Sequence, residues 1–317
     1  MLSPTDPRWR SMPDGGTPEQ NAHLHEHYQL DHALAWLHEH RSLPFFLFLH
    51  TYRVHNYAPS ESTVARLRAE SASRLGFDDI QRLLEPDNPE VEELGADDVA
   101  LLSSCYDATI AEVDADLHAL FAALAQDDLL RSTIVVVTAD HGEEFREHGH
   151  LFHGRTLYQE MLHVPLVIHA PACEPARIAT PIGLADLAPT LLDLAGLPPM
   201  PSAQGHSLKP LLRREPLPAA PLLAEHQSTD GAAFALRFGA FKLLHSVRGH
   251  GDRNELYDLE HDPRETQDCF ARDAKEAAHL RLLLAEQRRE LTALRVKTVN
   301  EGNLPAELKE ELRRLGY

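Results

Sequence analysis

Cysteine is scarce in this chain. Its 317 residues hold three, Cys105, Cys173 and Cys269, too few and too scattered for a disulfide framework, and no pair has zinc-site spacing. Positive charge is scarce too. Thirty lysines and arginines stand against 49 acidic residues, and the formal charge of -19 excludes nucleic acid or an anionic membrane as the main partner. An anionic substrate would need local positive charge, such as a metal ion. Residues 1–10 are polar and contain Pro4 and Pro7, so the apolar core of a secretory signal is missing, and no apolar run reaches membrane-spanning length. As written, the chain is expected to be soluble and cytoplasmic; an exported parent would have lost its signal together with an N-terminal part. Internal repeats and low-complexity tracts are absent as well. Self-association into a homo-oligomer is left open.

What is present suffices for a sizeable core: 43% of the residues are hydrophobic, which suits one large α/β domain with a small second one. Leu30, Ala33, Leu34 and Leu37 recur at helical spacing before Pro44 and predict an amphipathic helix. It feeds the run 45–49, apolar on both faces, as in a strand buried in a parallel sheet. Residues 60–97 are mixed and polar, with Pro86 and Pro89, and are expected as a surface excursion with short helices. From 98 to 130, Tyr106, Ile110, Val113, Leu117, Leu120 and Leu124 mark a long helix, and the β-branched run 134–138 follows as a strand. A third strand is expected at 164–169 and a helix at 186–195, stopped by Gly196 and Pro198. This alternation predicts an α/β fold with a mostly parallel sheet sandwiched by helices over residues 1–215.

After the proline-rich link 216–221 the pattern changes. Residues 234–247 and 255–259, with Gly249 and Gly251 between them, predict an antiparallel hairpin, and 274–295 a charged helix burying Leu280, Leu283 and Leu284. Residues 216–317 are thus expected as a small C-terminal subdomain. Histidines crowd at His23, His25, His27, His38 and His40; only His23 and His27 share a helical face, and a solvated surface is favoured there over a metal cluster.

The pattern that carries chemistry is Asp140-His141-Gly142-Glu143, directly after the strand expected at 134–138. Ligands of open α/β sheets bind at the carboxyl ends of strands. A carboxylate and an imidazole side by side, with a glycine permitting a tight turn, are able to face one metal ion. The plainer reading makes Asp140 a helix cap and His141 an ordinary loop residue.

Several ordered segments bear on that choice. Asp140 to Glu143, Glu147-His148-Gly149, His153-Gly154-Arg155-Thr156-Leu157-Tyr158 and Val164-Pro165-Leu166-Val167-Ile168 together resemble the metal-binding stretch of sulfatases of the alkaline phosphatase superfamily. Phe45 to His50 with His55 resembles the family's strand ending in a substrate-contacting histidine, Asp186 to Gly196 its late helix, and Lys242-Leu243 with Glu255 to Leu259 its C-terminal hairpin. The likeness runs from about Gln29 onward and covers most of the chain.

The resemblance implies that Asp140 and His141 ligate a metal, while His55 and His153 contact the ester oxygens and act in catalysis, His153 also helping the leaving group. Arg155 is a weaker substrate-binding candidate, and His148 and His150 lie near the same loop. Calcium is the family's usual ion; a nitrogen ligand at His141 suits manganese or zinc better. Two departures stand out. Arg53-Val54 occupies the place where members commonly carry Asp-Pro. The family's nucleophile, a formylglycine made from Cys or Ser in Cys/Ser-x-Pro-x-Arg, and its early pair of aspartates are expected upstream of this chain, whose sequence then corresponds to the middle and C-terminal part of a member. Cys173-Glu174-Pro175-Ala176-Arg177 fits the nucleophile pattern, but Pro181 would break the long helix that motif opens, and it follows the metal motif instead of preceding it.

The implied activity is metal-dependent hydrolysis of a small-molecule or carbohydrate sulfate ester, incomplete or absent in the chain as written. Phosphonate or phosphodiester hydrolysis on the same scaffold is the alternative chemistry, and a non-catalytic, degenerate module the alternative class.

Overall fold

The computed structural model describes residues 28–57, 59–84, 88–171, 173–228, 231–248 and 251–294. His23, His25 and His27 lie outside them, as does the last residue of the helix expected at 274–295. No helix among the described residues is long and apolar enough to cross a membrane. The chain divides into two compact units, and the boundary expected at 215/216 falls inside the second.

The first unit comprises Met1–Thr138, Glu143–Phe152 and Pro165–Cys173. Helix α1, Tyr28–His40, turns Leu37 inward onto Leu120, Leu124 and Leu129. Helix α2, Glu61–Ala69, starts at Ser60, whose hydroxyl accepts the Thr63 N–H at 3.3 Å. Helix α3 spans Phe77–Leu83, and helix α4 spans Ala96–Gln126. The stretch 60–97 is more than a surface excursion: Val64, Ile80, Leu83 and Leu94 are buried with Tyr57, Leu101, Leu102 and Cys105. Each short helix has one apolar face, and that face needs cover. The two ends of α4 serve different cores, and Ile110 between them is exposed.

Strands β1, Val135–Thr138, β2, Glu144–Phe145, β3, Leu151–Phe152, and β4, Leu166–His169, complete this unit. The α/β class stands, but β1 and β4 pair antiparallel, Thr138 opposite Leu166, where parallel pairing is expected from the sequence. The connection explains the difference. Between these strands lie only the β2–β3 hairpin and four residues of helix. The chain therefore returns to the strand end it left, whereas a parallel neighbour needs a crossover to the opposite end. Residues 45–49 are also corrected: they form no strand. Phe45 and Leu47 pack on the α1–α4 core, while Phe46 and Phe48 are 79% and 76% exposed. An extended segment alternates its faces, and no strand among the described residues covers the outer one.

The second unit comprises Ala139–Gly142, His153–Val164 and Glu174–Tyr317. It holds helices α5, Gln159–Leu162, α6, Leu187–Leu194, and α7, Lys209–Leu212. Strands β5, Leu222–Ser228, β6, Gly231–Phe238, β7, Phe241–Arg248, and β8, Gly251–Asp258, form an antiparallel sheet in chain order, and helix α8, Ala274–Leu294, follows. The hairpin expected from the sequence has two strands; in the structure its first run, 234–247, is divided at Gly239 into β6 and β7, and β5, with Glu225, His226 and Gln227, is not foreseen. Alternation assigns the two faces. Phe234, Leu236, Leu243 and Leu256 pack on Ala277, Leu280 and Leu284, whereas Ala235, Leu244 and Tyr257 pack with Leu157 and, partly buried, Tyr158 and Leu162. One face thus carries α8 and the other the segment around α5.

Candidate functional site

The Thr138 hydroxyl donates to the Pro165 carbonyl at 2.8 Å, tying the end of β1 to the start of β4. The excursion that carries the chemistry leaves and re-enters at this one strand end. Within the second unit, the exposed Asp140 accepts the His141 N–H on Oδ1 at 3.0 Å. No helix follows Asp140, so it is not a helix cap. His141 Nδ1 lies 2.8 Å from the Gly142 carbonyl oxygen. A carbonyl only accepts, so Nδ1 carries a proton, and in the neutral ring Nε2 is the nitrogen with the lone pair.

That Nε2 is 3.9 Å from Asp140 Oδ2. Two donors each about 2.0–2.2 Å from one ion lie up to about 4.4 Å apart, so both atoms fit a shared divalent cation. The donors are right in kind, an anionic oxygen and a neutral imidazole nitrogen. They supply two ligands, and among the described residues no group of three or more His, Cys, Asp or Glu gathers around a metal position.

Gly142 holds this turn in place. Its N–H donates to the Met161 carbonyl at 2.8 Å, and a Cβ on it would stand 1.8 Å from the Glu160 carbonyl oxygen. The glycine therefore serves close backbone approach, where the sequence suggests only a tight turn. His153 lies beside the pair, its ring centroid 4.6 Å from that of His141 with the planes 32° apart. The backbone before and after it is left-handed, φ 70° at Phe152 and 79° at Gly154. Such a φ costs a bulky phenylalanine of order 1–3 kcal/mol, strain of the kind that collects at functional turns. Arg155 is exposed.

His55 belongs to the first unit. It is half-buried, with Nδ1 3.2 Å from Asn56 Oδ1 and its ring 5.6 Å from that of Tyr52. Asp140, His141 and His153 are thus brought together in one unit, while His55 sits in the other. The departure at Arg53 has a structural role. Its buried guanidinium reaches Glu112 and Asp116 of α4, each at 2.6 Å, and pins the His55 turn to that helix. Neighbouring Tyr57 is fully buried, and burial first, then the charge of Glu143, pushes its hydroxyl far above the usual tyrosine range. His148 and His150 flank Gly149 between β2 and β3. The Cys173 segment forms no helix, and Cys173 itself is half-buried. Gln159 and Glu265 belong to no motif of the sequence; a lysine inside the apolar run 241–244 is the one local signal of a buried partner.

A family model described as Sulfatase matches residues 9–197, and one described as N-sulphoglucosamine sulphohydrolase, C-terminal, matches residues 146–295. Arylsulfatase K of Gallus gallus is 33% identical over 184 residues, 55% of this chain and 34% of that protein. N-acetylglucosamine-6-O-sulfatase of Bacteroides thetaiotaomicron is 34% identical over 200 residues, 58% and 35% of the two chains. A solved structure, described as a complex with its substrate D-glucosamine-2-N,6-O-disulfate, superposes with a TM-score of 0.55 at 28% identity, covering 68% of this chain and 48% of its own. The chain spans about a third of the length of the curated relatives it matches.

Proposed function

The chain belongs to the sulfatase family of the alkaline phosphatase superfamily, and from that premise we propose that it carries the cation-holding and ester-oxygen-contacting part of a sulfuric ester hydrolase site. The observation that carries this reading is the Asp140–His141 pair: Nδ1 is occupied by the Gly142 carbonyl, and Nε2 is left as a ligand 3.9 Å from the Asp140 carboxylate. The family implies a divalent cation; Asp140 and His141 would hold it, and when bound it supplies positive charge against the ester oxygens. Calcium is the expected ion, and manganese or zinc, which a nitrogen donor suits better, is the alternative.

His153, ring to ring with His141, donates to a sulfate oxygen and to the departing alcohol. By the resemblance alone His55, in the first unit, remains a candidate for contacting ester oxygens, and Arg155 a weaker substrate-binding candidate. The substrate class is a sulfated carbohydrate, supported by the relative named as an N-acetylglucosamine-6-O-sulfatase and by the similar structure described with a glucosamine disulfate. Formylglycine, the family's attacking group, is assigned to no described residue. Phosphonate or phosphodiester hydrolysis is not favoured, since the named relatives at 33% and 34% identity are sulfatases.

The test is titration of Mn²⁺ and Ca²⁺ into the protein by calorimetry, alongside turnover of an aryl sulfate and an aryl phosphonate diester. Asp140→Ala and His141→Ala are each expected to weaken cation binding tenfold or more, and Asp140→Ala to abolish any sulfate turnover. Cation affinity unchanged in both variants overturns the assignment.

A further inference from the structure

A lysine and a glutamate are sealed inside the second unit. Lys242 Nζ lies 2.7 Å from Glu265 Oε1, and the side chains are 1% and 0% exposed. Burial pulls the Lys242 ammonium below its ordinary range and pushes the Glu265 carboxyl above its own, so each charge is held there at a cost. The sheet face that carries Lys242 packs Leu244 and Tyr257 on Leu157, while Arg237 and Glu160 place their charges near the pair. Well-packed apolar side chains generally serve stability there as well as an ion pair does. The pair provides something an apolar pair lacks. Glu265 Oε2 accepts the backbone N–H of Gln159 at 2.6 Å, and Lys242 Nζ donates to Gln159 Oε1 at 3.4 Å.

Gln159 is the first residue of α5. Two residues later the Met161 carbonyl accepts the Gly142 N–H at 2.8 Å, and the Glu160 carbonyl leaves no room for a side chain on Gly142. A continuous set of short contacts thus runs from the sheet, through α5, to the turn that carries Asp140 and His141. We propose that Lys242 and Glu265 are positioning residues for the Asp140–His141 cation pair, acting through the Gln159 backbone and α5. This rests on the cation reading of Asp140 and His141 given above. Supporting groups behind metal ligands typically change affinity 10–100-fold, which sets the size of effect to look for.

The experiment compares three variants of the full chain by hydrogen exchange of the Gly142 amide, Mn²⁺ affinity and unfolding midpoint. Lys242→Met/Glu265→Leu removes the acceptor for Gln159. Lys242→Met/Glu265→Gln removes both charges yet keeps an oxygen for that N–H. Gln159→Pro deletes the N–H and leaves the ion pair intact; proline is tolerated at a first helical position, and Tyr158 before it is already extended, at φ -72° and ψ 174°. Expected is Gly142 exchange at least tenfold faster and Mn²⁺ affinity about tenfold weaker in the Met/Leu and Pro variants, both restored in Met/Gln, with midpoints close to the parent. Should Met/Leu fail to fold, the Pro variant decides the same point. Gly142 exchange and Mn²⁺ affinity like the parent's in the Pro variant overturn the proposal. Asp140→Ala run alongside separates the two readings: if it leaves Mn²⁺ affinity unchanged, the cation assignment fails, and Gly142 exchange still decides the coupling.

Discussion

Gly142 has no room for a methyl group, because a Cβ would lie 1.8 Å from the Glu160 carbonyl oxygen. A backbone oxygen cannot swing aside as a flexible side chain does. Gly142→Ala must therefore break the 2.8 Å hydrogen bond to Met161 or displace α5. Overpacking of this kind costs about 1–3 kcal/mol, and urea denaturation of the variant is expected to show a loss of that size together with weaker Mn²⁺ binding. A stability equal to the parent's would show that the turn is slack. His141 depends on the same turn, since the Gly142 carbonyl sets its tautomer. Arg53 does comparable work for His55. Its planar fork engages two carboxylates of α4 at once, a geometry a lysine cannot reproduce.

Helix α5 is only four residues long, and its packing comes from what precedes it and from the sheet it meets. Tyr158 donates to Glu255 Oε2 at 3.1 Å, and Tyr257 donates to Glu255 Oε1 at 3.1 Å, so one carboxylate of β8 receives both hydroxyls. Burial, and then the Glu255 charge, push Tyr158 up to about 12. Its folded value lies above the free tyrosine value of about 10, so this contribution is complete below pH 10 and is lost as pH rises through about 12. Denaturation midpoints measured from pH 9 to 12 are expected to fall over that interval. Tyr158→Phe is expected to make the fall shallower; an identical alkaline decline in the variant would assign it to other groups, such as Tyr257, which is raised for the same reasons.

For the chain as a body in solution, two features oppose each other. A formal charge of -19 keeps copies apart at low salt, with a reach of about 10 Å at 0.1 M ionic strength. The first unit, however, exposes Leu43, Phe46, Phe48 and Val167. Apolar groups of this size on a surface drive association once charge is screened. Light scattering against salt is expected to show self-association rising between 0.05 and 0.5 M NaCl, a window spanning Debye lengths from about 14 to about 4 Å. Phe46→Ser/Phe48→Ser is expected to suppress it and leave the unfolding midpoint unchanged. Association undiminished in the double variant would locate the sticky surface elsewhere.

Helical periodicity made α1, α4, α6 and α8 legible from residue spacing, and β-branched runs did the same for β1 and β4, because each signal is local to its own element. The candidate cation pair was legible for a still simpler reason: Asp140 and His141 are neighbours in the chain, so their proximity is covalent. Periodicity says which side of an element seeks cover and is silent on what will cover it. The run 45–49 reads as a strand, yet among the described residues it pairs with none, and Phe46 and Phe48 are exposed. The antiparallel pairing of β1 with β4 follows from where the chain re-enters, which no single segment encodes. His153 reaches His141 across twelve residues of sequence through a turn strained at Phe152. The Gln159 amide finds its acceptor in Glu265, 106 residues away. Hydrogen bonds between residues so distant in the chain are selected by packing and have no local pattern to betray them, as with the buried Lys242–Glu265 pair beside that amide.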